Sequence, residues 1–121
     1  MADEILWGHY LYVKKGDRQP IEIALVKRYA DMAGDIYRAG QQEIGFSAKE
    51  DIDKPTAMGT IGFVYIRNLD STNFVEIGDD ADNPSIKLLA GQAFMGPWGA
   101  TNVSCKADAA VVIVEFVIIE L

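Results

Sequence analysis

The sequence predicts an all-β chain: an antiparallel sandwich or barrel of about eight short strands, in a single domain over residues 1–121. Two observations predict it. Runs rich in β-branched and aromatic residues recur at spacings of about 8–12 residues, and clusters of Gly, Pro, Asn, Asp and Ser separate them. Half the residues are hydrophobic and 24% are charged, values of a folded globular chain rather than a disordered one.

The elements follow in order. Ile5–Val13, "ILWGHYLYV", is the first strand, and Lys14–Pro20 is a turn by its Gly–Asp and Pro content. Ile21–Lys27 alternates strictly, with Ile21, Ile23 and Leu25 on one face. Arg28–Gln42 is ambiguous. Leu25, Tyr29, Met32 and Ile36 fall on a helical stripe, but Gly34, Gly40, Asp31 and Asp35 weaken a helix, so strand plus loop is read ahead of it. Glu43–Ala48 reads as a strand and Lys49–Thr60 as a polar connection. Ile61–Arg67, Phe74–Gly78, the run Ile86–Trp98 punctuated by Gly91 and Gly96–Pro97, and Thr101–Ala107 follow. The last strand, Ala109–Leu121, is apolar on both faces for most of its length. A strand on the surface of a monomeric sandwich should alternate apolar with polar, so a second surface is expected to cover it: the N-terminal segment or a neighbouring subunit.

Charge and chemistry narrow the function. A formal net charge of −7 disfavours nucleic acid, which needs clustered Lys and Arg. Cys105 is the only cysteine, which rules out an internal disulfide and suits a reducing compartment. The start "MADEILWGHYLYV" carries acids where a secretory signal has bases. The apolar C-terminal run is too short to cross a bilayer as a helix and holds Glu115 and Glu120. His9 is the only histidine and Cys105 alternates with Val103 towards a core, so no nucleophilic enzyme is expected and no catalytic residue is assigned. Asp79, Asp80, Asp82 and Asn83 crowd oxygen ligands together but lack the EF-hand pattern, and turn chemistry before Pro84 explains them; no metal or cofactor is expected. Lys49–Lys54 reads as a solvated charge cluster. Trp7, Tyr10, Tyr12 and Trp98 could stack a sugar or base, although aromatics in strands are usually core. The Asn68–Asn73 loop, "NLDSTN", reads as a hairpin tip whose side chains satisfy their own backbone.

The stretches "GFVYIRNLDSTNFVEIG", "IKLLAGQAFMGPW" and "CKADAAVVIVEFVIIEL" in the second half of the chain resemble the C-terminal half of small virion structural proteins of tailed bacteriophages. Asn68–Asn73 match that family's Asn–Leu–Asp–x–Thr–Asn turn, and Phe74–Glu76 its aromatic–Val–Glu strand. Leu88–Gln92 match the next turn, and Cys105–Ala109 the lead into an apolar last strand. "QQEIGFSAKEDI" upstream is a looser match. The likeness covers about Gln41 to Leu121, departing from the family at Gln92 (commonly Glu) and Cys105 (commonly Ala). It implies a jelly-roll-like β-sandwich used as a particle component, with no active site to carry over.

The resulting expectation is a capsid decoration, or cement, protein made in the bacterial host cytoplasm and carried on the capsid surface of the virion. Its partners would be itself, as a homodimer or homotrimer, and the phage major capsid protein, with no nucleic acid and no membrane. A tail or neck protein and a carbohydrate-binding sandwich module are the rival readings. The interface is expected at Trp7 and Tyr10 of an N-terminal arm or strand (residues 1–20), and at Val112, Val114, Phe116 and Ile118 of the last strand.

Overall fold

A computed structural model describes residues 5–30, 36–80 and 84–120, with the backbone alone over 25–30. Ten strands and no helix are present among them: β1 (Ile5–Val13), β2 (Ile21–Ala30), β3 (Tyr37–Ile44), β4 (Glu50–Asp51), β5 (Ile61–Asn68), β6 (Val75–Gly78), β7 (Ile86–Leu88), β8 (Ala93–Ala100), β9 (Ser104–Ala107) and β10 (Val112–Glu120). All pairings are antiparallel. The chain divides into two compact units, Met1–Ala33 and Gly34–Leu121.

The first unit is the β1–β2 hairpin. Val13 pairs with Ile21 at its tip, and the register shifts between Trp7 and His9. Gly16, at φ 59°, supplies the left-handed residue of the turn that Lys14–Pro20 was expected to make. Within the segment expected as an arm or strand over residues 1–20, Ile5–Val13 is one strand of a hairpin completed by β2.

The second unit holds two four-stranded sheets, in the orders β3-β10-β5-β8 and β4-β9-β6-β7. The pairing is nested: β3 with β10, β4 with β9, β5 with β8, and β6 with β7. One core cluster joins the sheets, drawing Ile44, Val64, Ile66, Val112, Val114, Phe116 and Ile118 from the first and Val75, Ile77, Leu88, Cys105 and Ala107 from the second. This is the two-layer arrangement that the strand spacing predicts.

Several boundaries move. Arg28–Gln42 is strand at both ends, and residues 31–35 lie outside the described residues. The strand expected at Glu43–Ala48 lies earlier, at Tyr37–Ile44. The connection Lys49–Thr60 contains the two-residue β4, whose Glu50 and Asp51 pair with Cys105 and Ser104. Gly96–Pro97 does not break its run but lies inside β8. The bond from Asn68 N to Gln92 O (2.9 Å) fixes the phase of the β5–β8 ladder, so even-numbered residues of β8 bond inward and Pro97 faces the free edge. Its missing N–H costs no ladder bond there.

Candidate functional site

The Asn68–Asn73 loop, expected as a hairpin tip, instead carries the chain from β5 in one sheet to β6 in the other, and its polar groups are engaged with backbone. Asn68 ends the central strand β5 with its side chain fully buried. Nδ2 donates to Asn73 O (2.8 Å) and Leu88 O (3.0 Å), while Oδ1 accepts from Asp70 N (2.8 Å). Its own N–H donates to Gln92 O and its carbonyl accepts from Gly91 N (3.0 Å). Asp70 Oδ2 accepts from Thr72 N (2.9 Å) and Asn73 N (2.6 Å), and these two backbone donors hold its carboxyl below the usual range. Gln92 Oε1 accepts from Leu89 N (3.0 Å), and Gly91 at φ 79° gives the second turn its left-handed corner. The loop is a polar tie between the two sheets.

Other candidate groups are dispersed. His9 is exposed on β1. Cys105 is fully buried, and its thiol is pushed up to about 12, first by burial and then by the Asp51 and Glu50 carboxylates. Beside it, the buried Ser104 hydroxyl has no hydrogen-bond partner among the described residues. Asp80 bonds Lys49 (2.8 Å), and Asp82 and Asn83 lie outside the described residues. Within Lys49–Lys54, Asp53 pairs with Arg38 (2.6 Å), and Lys54 Nζ donates to Gly59 O and Thr101 O. Trp98 is half-buried, donates Nε1–H to Asn102 O (3.0 Å) and meets Phe94 edge-on at 6.0 Å.

The hairpin presents the most distinctive surface. Leu11 lies opposite Ile23 and Val13 opposite Ile21, on the same face by alternation. All four are about half exposed, at 52%, 54%, 48% and 57%. On the other face Tyr10 is 64% exposed, and its hydroxyl donates to Glu22, two positions along from its partner Ala24. Trp7, expected beside Tyr10 as an anchor, is half-buried. The aliphatic quartet was missed because the two strands were read one at a time; pairing them across the Lys14–Pro20 turn brings it together.

The interface expected at Val112, Val114, Phe116 and Ile118 is corrected. These four side chains are 0–4% exposed and belong to the core cluster. β10 is a central strand, and the second sheet packs on the face that carries them. The opposite face carries Ile113 (42% exposed), Glu115, Val117 and Ile119. Next to it in register stand Tyr65, Met95 and Tyr37, and Tyr65 donates to Glu115 Oε1 (2.8 Å). Both faces of β10 are apolar, so alternation alone could not tell which one the second sheet would cover.

On the second sheet, a groove of about 430 Å³ runs between Phe46, Phe74, Glu76, Lys106 and Asp108. Lys87 Nζ lies 4.0 Å from the centre of the Phe74 ring, so a cation already occupies that face. The chain matches no protein-family model, no curated protein and no solved structure.

Proposed function

We propose that the protein is a structural component of a phage virion, a capsid decoration protein that attaches to and stabilises the assembled shell. The observation that carries this reading is the hairpin. A two-stranded ribbon is at best marginally stable in water, and this one exposes apolar side chains on both faces, as an arm built to dock on another surface does. Covering the exposed halves of Leu11, Val13, Ile21 and Ile23 is worth about 1 kcal/mol each. Together that is about a thousandfold in affinity.

The nested strand pairing supports the fold half of the reading. It fits the order that rolling up one long hairpin would give, which supports a jelly-roll-like sandwich of the kind found in viral capsid and lectin domains. Fold alone does not assign the job. The mechanism is mass action: a protein that binds only the assembled lattice stabilises it by about 2.7 kcal/mol per site at a hundredfold excess over its Kd. The protein acts without catalysis, through copies of itself and of the major capsid protein.

The test is the number of copies per purified virion, measured by quantitative mass spectrometry, together with the variant Leu11→Lys/Ile23→Lys. Hundreds of copies, lost from particles in the variant, support shell decoration. A few to tens of copies place the protein in the tail or neck instead. Absence from the virion overturns the proposal.

A further inference from the structure

The sandwich unit has four sheet edges, and three of them are blunted. β4 is two residues long and β7 is three, while β8 turns Pro97 towards solvent. Monomeric β proteins manage their edges in these ways because a long open edge recruits other strands. The fourth edge, β3, is eight residues long and has neither proline nor lysine. Its one cation, Arg38, is held by Asp53 at 2.6 Å.

The ladder shows which β3 groups are open. Glu120 N donates to Ile36 O (3.0 Å), and the β10–β3 register then makes every even residue of β3 bond inward to β10. The N–H and C=O groups of Tyr37, Ala39, Gln41 and Glu43 therefore point away from the sheet. No other described strand pairs there, and all four residues are exposed, Tyr37 at 66%.

We infer that β3 is the dimerisation edge: two copies of this chain pair β3 with β3 antiparallel about a two-fold axis at Gly40, joining their four-stranded sheets into one. The occupant is a second copy because the strand is self-complementary in that register. Tyr37 stands opposite Glu43 of the second copy, Arg38 opposite Gln42, Ala39 opposite Gln41, and Gly40 opposite Gly40. No like charges face each other, and the residue without a side chain lies on the axis. Tyrosine beside glutamate across strands already occurs twice in the chain, at Tyr10–Glu22 and Tyr65–Glu115. The pairing adds about eight backbone bonds. The inference stands apart from the virion reading, since neither the hairpin nor a shell enters it.

The experiment is light scattering on the full chain with the variant Gln41→Pro, combined with amide exchange. Proline at position 41 removes an N–H that points outward, so each sandwich keeps its own ladder while the shared one is lost. Protection of the buried Cys105 thiol from a disulfide reagent under native conditions checks that the variant is folded. The expected result is twice the chain mass for the unmodified protein and at least tenfold weaker association for Gln41→Pro. In the unmodified dimer the amides of Tyr37, Ala39, Gln41 and Glu43 should be protected, and they should lose protection on dilution. Should Gln41→Pro fail to fold, Ala39→Pro and the exchange pattern of the unmodified chain decide. A monomer at the highest attainable concentration, or a dimer whose odd-numbered β3 amides exchange freely, overturns the inference.

Discussion

The side-chain amide of Asn68 donates to the carbonyl of Leu88, twenty residues further along the chain, across a distance of 3.0 Å. Asn68 closes β5 in one sheet and Leu88 closes β7 in the other, so this bond and its companion to Asn73 O tie the layers together at one end of the core. Replacing Asn68 with Ala orphans two carbonyls and the Asp70 N–H, and each buried unpaired group costs about 1–3 kcal/mol. We expect Asn68→Ala to lose about 3 kcal/mol in urea unfolding. Asn68→Asp should do no better, because a carboxylate cannot donate to those carbonyls.

Asp70 gives the loop an acid-sensitive contact. Its carboxyl titrates below the ordinary 3.8 because Asn73 N and Thr72 N donate to the ionised form. A depressed carboxyl contributes stability that is fully present above the unfolded value and is lost as pH falls through the folded one. Asp70→Asn should therefore be less stable than the parent at neutral pH, and the gap should close only below about pH 4. Urea midpoints measured for both proteins from pH 7 to pH 2 check this; a gap that is constant with pH contradicts it.

The thiol of Cys105 should be chemically silent in the folded chain. Burial, with the Asp51 and Glu50 carboxylates adding to it, pushes the thiol up to about 12, so little thiolate exists at pH 8. We expect no reaction with a disulfide reagent under native conditions and one equivalent in denaturant. Fast native labelling would show that the β4–β9 pairing opens readily.

Tyr10 and Tyr65 should ionise late. Tyr10 donates to Glu22 and Tyr65 to Glu115, and both phenols are raised above 10.0, chiefly by those bonds. A raised group contributes stability that is fully present below the unfolded value and is lost as pH rises through the folded one. Ultraviolet titration should show phenolate formation above pH 10 that diminishes in Tyr10→Phe/Tyr65→Phe, and Tyr65→Phe alone should flatten the alkaline loss of stability.

Much of the fold was legible because its signals are local. Alternation and turn chemistry placed Ile5–Val13 as a strand to the residue, and the polar residues of Asn68–Asn73 marked a loop that satisfies its own backbone, although that loop crosses between the sheets instead of closing a hairpin. The errors fell where distant residues decide. β4 is a strand only because Ser104 and Cys105 lie beside it, and Pro97 is tolerated only because β8 is an edge.

By itself the sequence determined that the chain is all-β, where its main turns lie, that Cys105 faces inward, and that the last strand is apolar on both sides. Those properties follow from side-chain alternation and from residues that tolerate turn backbones, and neither depends on partners far along the chain. Only the tertiary structure decided that Val112, Val114, Phe116 and Ile118 form the core while Ile113, Val117 and Ile119 face outward. It alone brought Leu11 against Ile23 and, among the described strands, left the outer edge of β3 unpaired. Strand order is set by non-local ladder bonds and by which sheet covers which face, and a period of two carries no information about either.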